Sequence, residues 1–226
     1  MNSKNLAYWL GVCQTDGFLK KQYVKSKNQT RYYICLTIGH SSIEMLEKFM
    51  QISKQEFNRE GSIYYDQKRA SIQYKFRCNR LLEEFEEKEL NFKDPPEPPK
   101  WILNNSELFG AYLAGIIDGD GNIEITRPKY PQCKVRIYSS KQQIALSKAI
   151  EDKLKCKTNC LFFQRESKIE NRNIFGSWWT LYFNISPKNF KFVSNYILNE
   201  IAIKRKGNKI KEFLKRRAVG ENRTPV

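Results

Sequence analysis

The chain has 226 residues, with 40 basic against 24 acidic side chains and a formal net charge of +16. That excess points to a polyanionic partner, nucleic acid or an anionic membrane surface. The apolar runs at 6–13 and 108–117 are too short to cross a bilayer, no signal-peptide pattern opens the chain, and 13% aromatic residues argue for a folded protein.

The length allows one large domain or two small ones. Cys13, Cys35, Cys78, Cys133, Cys156 and Cys160 lack the paired spacing of a zinc ribbon, and His40 is the only histidine. A structural zinc site is therefore not expected. Reduced cysteines in apolar segments behave as small hydrophobes, which fits an intracellular setting, cytoplasmic or in an organelle matrix, rather than a secreted one.

In chain order, residues 6–13 read as a helix that is apolar nearly all round and ends at Asp16-Gly17. Residues 18–25 and 31–38, rich in aromatic and β-branched side chains, read as strands joined by a polar turn. Ser41-Ser42 before Ile43, Met45, Leu46, Phe49 and Met50 predicts a capped amphipathic helix. Strands follow at about 62–66 and 70–77; in the second, Ile72, Tyr74 and Phe76 alternate with Gln73, Lys75 and Arg77. One sheet face is then apolar and the other basic. A helix over 81–90 carries a solvated acidic run, Glu83 to Glu89. Pro95, Pro96, Pro98 and Pro99 then predict a stiff, extended linker.

The order replays in the second half. A helix is expected at 106–119, strands at 122–127 and 132–138, a helix at 141–154, strands near 160–165 and 177–185, and a helix at 187–199. Asn79, Leu81, Leu82, Phe85, Leu90 and Lys93 stand in register with Phe190, Phe192, Val193, Tyr196, Ile201 and Lys204. A basic tail from Ile201 to Arg217 supplies close to half of the net charge. The expected fold class is α+β, with two pseudo-symmetric αββαββα halves at 1–93 and 106–226 joined by a linker at 94–105.

Two stretches organise this duplication. Residues 9–17 read WLGVCQTDG and residues 113–121 read LAGIIDGDG. Ala7, Gly11 and Thr15 stand four apart, as do Ala111, Gly115 and Gly119, so each helix carries a small-residue stripe on one face. Two buried helices of this kind are expected to pack along Ala7, Gly11, Ala111 and Gly115, bringing Asp16 and Asp120 together at their C-terminal ends. Helix C-termini are partially negative and the carboxylates repel. With no Lys or Arg in either motif, a divalent cation held by oxygen ligands is the natural counter-charge.

LAGIIDGDG at 113–121 resembles the signature of the LAGLIDADG homing endonucleases, and WLGVCQTDG resembles a degenerate copy of it. The resemblance covers essentially the whole chain and implies a single-chain, monomeric enzyme whose two sheets form a basic saddle on double-stranded DNA. It implies that Asp16 and Asp120, the last acids of the motifs, hold Mg²⁺ or another divalent ion such as Mn²⁺ and act in cleavage that leaves short 3′ overhangs. The motif's preceding acid position, two residues earlier, is Gln14 in one copy and Asp118 in the other, which leaves both out of the catalytic set. By position, the family's lysine near the attacking water falls on Lys93 and Lys204; a polar residue closing the second strand falls on His40 and on Ser139 or Ser140. Alternation along the strands nominates Lys20, Gln22, Arg31, Tyr33, Gln73, Lys75 and Arg77, with Asn122, Glu124, Thr126, Lys134, Arg136 and Tyr138, as DNA-facing side chains. The alternatives are a maturase that binds its host intron RNA and a DNA-binding protein that has lost cleavage.

Overall fold

The computed structural model describes residues 3–92, 94–126, 131–169 and 172–221. In the first half, helix α1 (Lys4–Cys13) leads to strands β1 (Gly17–Val24) and β2 (Gln29–Gly39), helix α2 (Ile43–Phe57), strands β3 (Ser62–Asp66) and β4 (Ser71–Arg77), and helix α3 (Leu82–Glu87). A short helix, α4 (Lys100–Leu103), begins directly after Pro99, inside the span expected to be an irregular linker. Then come α5 (Ser106–Asp120), β5 (Gly121–Thr126), β6 (Gln132–Ser139), α6 (Ile144–Leu154), β7 (Thr158–Ile169), β8 (Arg172–Ile185), α7 (Phe190–Phe192) with a π turn at Val193–Ile197, and α8 (Lys204–Glu221). The two sheets are antiparallel, ordered β1-β2-β4-β3 and β5-β6-β8-β7.

Period-two alternation sorts each sheet into two faces. Ile34, Leu36 and Ile38 of β2 pair with Phe76, Tyr74 and Ile72 of β4, all buried against the helices. Val135 and Ile137 of β6 do the same with Phe183 and Leu181 of β8. In the first half Trp9 anchors the interior, stacked on Phe49 and edge-on to Phe57 and Phe92, with its indole N–H donated to Ser53 Oγ at 3.0 Å. One continuous cluster of buried residues runs through both halves.

The axis of the molecule is the α1–α5 seam. A Cβ built on Gly11 would stand 2.3 Å from the carbonyl oxygen of Tyr112, and one built on Gly115 would stand 2.3 Å from that of Tyr8. No side chain fits there, so the small-residue stripe has a direct steric cause. Ala7 and Ala111 are fully buried in the same seam.

Further expectations need correction. The basic tail is a helix: Ile203, Ile210 and Phe213 form a buried stripe in and just before α8, and Lys209 donates to the Ile123 carbonyl of edge strand β5 at 2.8 Å. Strands β7 and β8 run well past the expected 160–165 and 177–185, because twelve residues of each strand pair as one long hairpin. Ser42 sits at the N-cap of α2 without bonding through its side chain, since a 3₁₀ turn at His40–Ser42 precedes the helix. The helices expected over 81–90 and 187–199 are shorter, and the second is partly π-wound where Tyr196 presses against Gly110.

Candidate active site and nucleic-acid face

Asp16 follows the last turn of α1, and its backbone N–H still bonds the Val12 carbonyl at 3.0 Å. Asp120 closes α5. The two meet as the motif spacing requires: a Cβ on Gly119 would lie 2.1 Å from Thr15 Oγ1 and 3.1 Å from Asp16 Oδ2. Burial, then the charge of Asp120, pushes the Asp16 carboxyl up to about 7. Burial, then Asp94, pushes Asp120 up to about 6. Both shifts mark a place where negative charge is concentrated and poorly hydrated.

Part of the missing positive charge comes from Lys206, which the sequence reading passed over. Its side chain is buried, and Nζ donates to the carbonyls of Ile117 at 2.6 Å and Asp118 at 2.7 Å, with Gly119 O at 3.4 Å. It thus caps the C-terminus of α5, where the helix dipole favours a cation, and its charge lowers the pKa of both Asp16 and Asp120. Burial in turn pulls the Lys206 ammonium down to about 8. Lys206 falls on the buried stripe of α8, between Ile203 and Ile210. That helical spacing is the signal that would have revealed it.

Lys204 stands elsewhere. Its backbone N–H bonds Glu44 Oε2 at 2.9 Å and its ammonium lies 3.7 Å from Glu44 Oε1, with the side chain largely exposed. Glu44, on α2 of the first half, therefore caps the first turn of α8. Lys93 lies outside the described residues. His40 is exposed at the turn after β2. Ser139 donates to Asp94 Oδ1 at 3.0 Å and Ser140 to Asp94 Oδ2, which places a linker carboxylate beside Asp120.

Gln14 and Asp118 turn out to be anchors rather than spare positions. Asp118 is fully buried and accepts from the Tyr8 hydroxyl at 2.8 Å and from the backbone N–H groups of Ala202 at 2.6 Å and Ile203 at 3.2 Å. Gln14 accepts from the Tyr112 hydroxyl at 2.6 Å and from Glu97 N–H at 3.1 Å, while its amide donates to Asn91 and to the Glu97 carbonyl. Gln14 holds the segment that follows α3, and Asp118 the segment between the π turn and α8. The partners of Asp118 are all donors and suit a carboxylate; those of Gln14 are mixed and suit an amide.

The nominated DNA-facing residues fall together. The register places Lys20 opposite Tyr33 and Tyr33 opposite Arg77, Gln22 opposite Arg31, and Lys75 and Gln73 on the same outward face. In the second sheet Asn122 pairs with Arg136, Glu124 with Lys134 and Thr126 with Gln132, and Tyr138 shares their face. These side chains are exposed or half-buried, on the face opposite the buried strand residues. Glu124 is held by Arg136 at 2.6 Å.

No protein-family model matches the sequence, and no curated protein matches it. Solved structures do match in fold. I-DmoI, a homing endonuclease solved in complex with DNA and Ca, superposes with a TM-score of 0.54 at 18% identity over 85% of this chain and 88% of its own. The meganuclease I-SmaMI, bound to uncleavable DNA, gives 0.56 at 13% identity over 98% and 91%. The LAGLIDADG homing endonuclease I-LtrWI, bound to target DNA, gives 0.51 at 15% identity over 96% and 90%. The chain shares the two-sheet α+β fold of these proteins over 85% to 98% of its length.

Proposed function

We propose that the chain is a site-specific double-strand DNA endonuclease of the LAGLIDADG homing type, acting as a monomer at a long asymmetric site and leaving short 3′ overhangs. The observation that carries this reading is the convergence of Asp16 and Asp120, one from each half, at the ends of two reciprocally packed helices. The outward faces of two sheets, bearing Lys20, Arg31, Lys75 and Arg77 in one half and Lys134 and Arg136 in the other, supply the surface for a duplex. A β-ribbon fits the major groove, where Arg, Lys, Gln and Asn read base edges.

The donor chemistry suits a divalent ion. Among the described residues no group of three or more His, Cys, Asp or Glu could hold a metal alone, so the remaining ligands would come from substrate phosphate and water. A cation of the Mg²⁺ or Mn²⁺ kind, held by Asp16 and Asp120, supplies Lewis acidity for phosphodiester hydrolysis. Each carboxylate serves one strand of the duplex. Lys206 keeps positive charge at the end of α5 and offsets repulsion between the acids. Its burial beside them makes it a better candidate than Lys204 for the basic group of the second half; Lys93 remains the candidate of the first.

The test is direct. Purified protein is incubated with a plasmid library of random inserts and Mg²⁺, and the ends are mapped by sequencing. Paired, staggered cuts at one sequence support the reading. Intact plasmid in both Mg²⁺ and Mn²⁺ overturns it.

A further inference from the structure

The outward face of the second sheet is not uniformly basic. The register aligns Tyr138 with Thr180 and Thr180 with Leu161, and sets Trp178 beside Phe163. With Tyr182 these side chains line an open groove of about 320 Å³, flanked by Lys134 and Arg136. Leu161 is 45% exposed and Phe163 41%. The same face of the first sheet mixes polar and aromatic side chains, with Lys20 beside Tyr33 and Arg77, Thr37 beside Gln73 and Tyr64, and Phe18 exposed. The second sheet instead gathers its apolar side chains into one trough, continuous with a cationic rim.

A contiguous apolar patch on a surface built to meet a polyanion marks a contact site. Two kinds of group would fill it: the flat face of an unpaired base, or an apolar protrusion of a duplex. One face of each of three rings is engaged already. Phe163 stacks on Trp178 with centroids 6.0 Å apart and planes 15° apart, and the Lys134 ammonium stands 4.8 Å from the Tyr182 ring centre. Leu161 adds exposed aliphatic carbon to the groove. The apolar protrusion of the major groove is the C5 methyl of thymine.

We infer that the second half reads a thymine-rich half-site through methyl contacts in this groove. The inference rests on the endonuclease reading above and goes beyond it in assigning a chemistry of readout to the second sheet. Lys134 and Arg136, at the rim, meet the neighbouring phosphates or base edges.

The test begins with selection of bound duplexes from a randomised library by the wild-type protein in Ca²⁺. The half-site whose preferences change in the Trp178→Ala protein is assigned to the second sheet. Replacing thymine with deoxyuracil removes only the methyl group. At about 0.8 kcal/mol per buried methyl, each replacement there should weaken binding about fourfold. The uracil effect should vanish in a Leu161→Ser, Phe163→Ser protein that still selects the first half-site. Persistence of the uracil effect in that protein, or a second half-site rich in G·C pairs, overturns the inference. So does tighter binding to single strands that Trp178→Ala abolishes, which would assign the groove to base stacking. Failure to select any duplex sequence overturns the endonuclease reading instead.

Discussion

Tyr8 on α1 donates its hydroxyl to Asp118 on α5 at 2.8 Å, across the seam between the halves. Its counterpart Tyr112 donates back to Gln14 at 2.6 Å. The motif position two residues ahead of Asp16 and of Asp120 is thus fixed by a tyrosine of the opposite half. Asp118 faces three donors and no acceptor, so Asp118→Asn would aim an N–H group at another N–H or O–H. We expect a loss of about 2–3 kcal/mol, read by denaturant unfolding. Wild-type stability in that variant would remove Asp118 as an anchor of the 202–206 segment.

The seam predicts a second asymmetry. A methyl group at Gly11 or Gly115 meets a backbone carbonyl oxygen at 2.3 Å, and a backbone cannot rotate away as a side chain can. Gly11→Ala and Gly115→Ala should each cost about 1–3 kcal/mol or more. Gly39 has nothing within 4 Å of its built Cβ and no positive φ, so Gly39→Ala is expected to leave the melting temperature unchanged or slightly raised. Melting curves of the three variants compare these directly.

The acid pair sets a pH dependence. Asp16 is raised from 3.8 to about 7 and Asp120 from 3.8 to about 6. Between those limits the folded protein binds more protons than the unfolded chain, so stability present at low pH is lost as pH rises through 6 and 7. Asp16→Asn removes a titrating group. In metal-free protein the variant should therefore gain on the wild type as pH goes from about 5 to about 8. Mg²⁺ should raise the wild-type melting temperature at pH 8 and the variant's much less. A constant difference across that range would show that Asp16 is not under charge stress.

For chemistry, Asp120→Asn should abolish cleavage and spare DNA binding. Full cutting by that protein would end the two-carboxylate mechanism.

Lys206 and Lys204 separate in the same assay. Lys206→Met leaves three carbonyls at the end of α5 without their donor and lets Asp16 and Asp120 rise further. Cleavage should fall about 100-fold or more, with the pH profile displaced to higher pH. Lys204→Met removes an exposed partner of Glu44 and should change stability by less than about 1 kcal/mol. Equal losses of cleavage in the two variants would return the basic role to Lys204.

The strands and the seam were legible because both obey short periods. Alternation over Ile72 to Arg77 predicts which side chains face outward, and four-residue spacing from Ala7 and from Ala111 predicts a close helix contact. Helix α8 was hidden because Lys204, Arg205, Lys209 and Lys211 outnumber its apolar stripe, and Lys206 lies on that stripe without being apolar. The long β7–β8 hairpin was missed for a related reason: Leu161 to Glu166 are exposed, so no buried face enforces alternation there. The anchoring roles of Gln14 and Asp118 depend on Asn91, Glu97, Ala202 and Ile203, distant in the chain, and no local pattern encodes them.

The reciprocal glycine contacts also act as a ruler. Asp16 and Asp120 are carried on two helices that cannot slide past each other without driving a carbonyl into a neighbouring backbone. In the proposed nuclease, the stagger between two cuts would then be a property of the helix pair, independent of either sheet. Substitutions on the sheet faces would change which duplex is chosen without altering how the break is shaped.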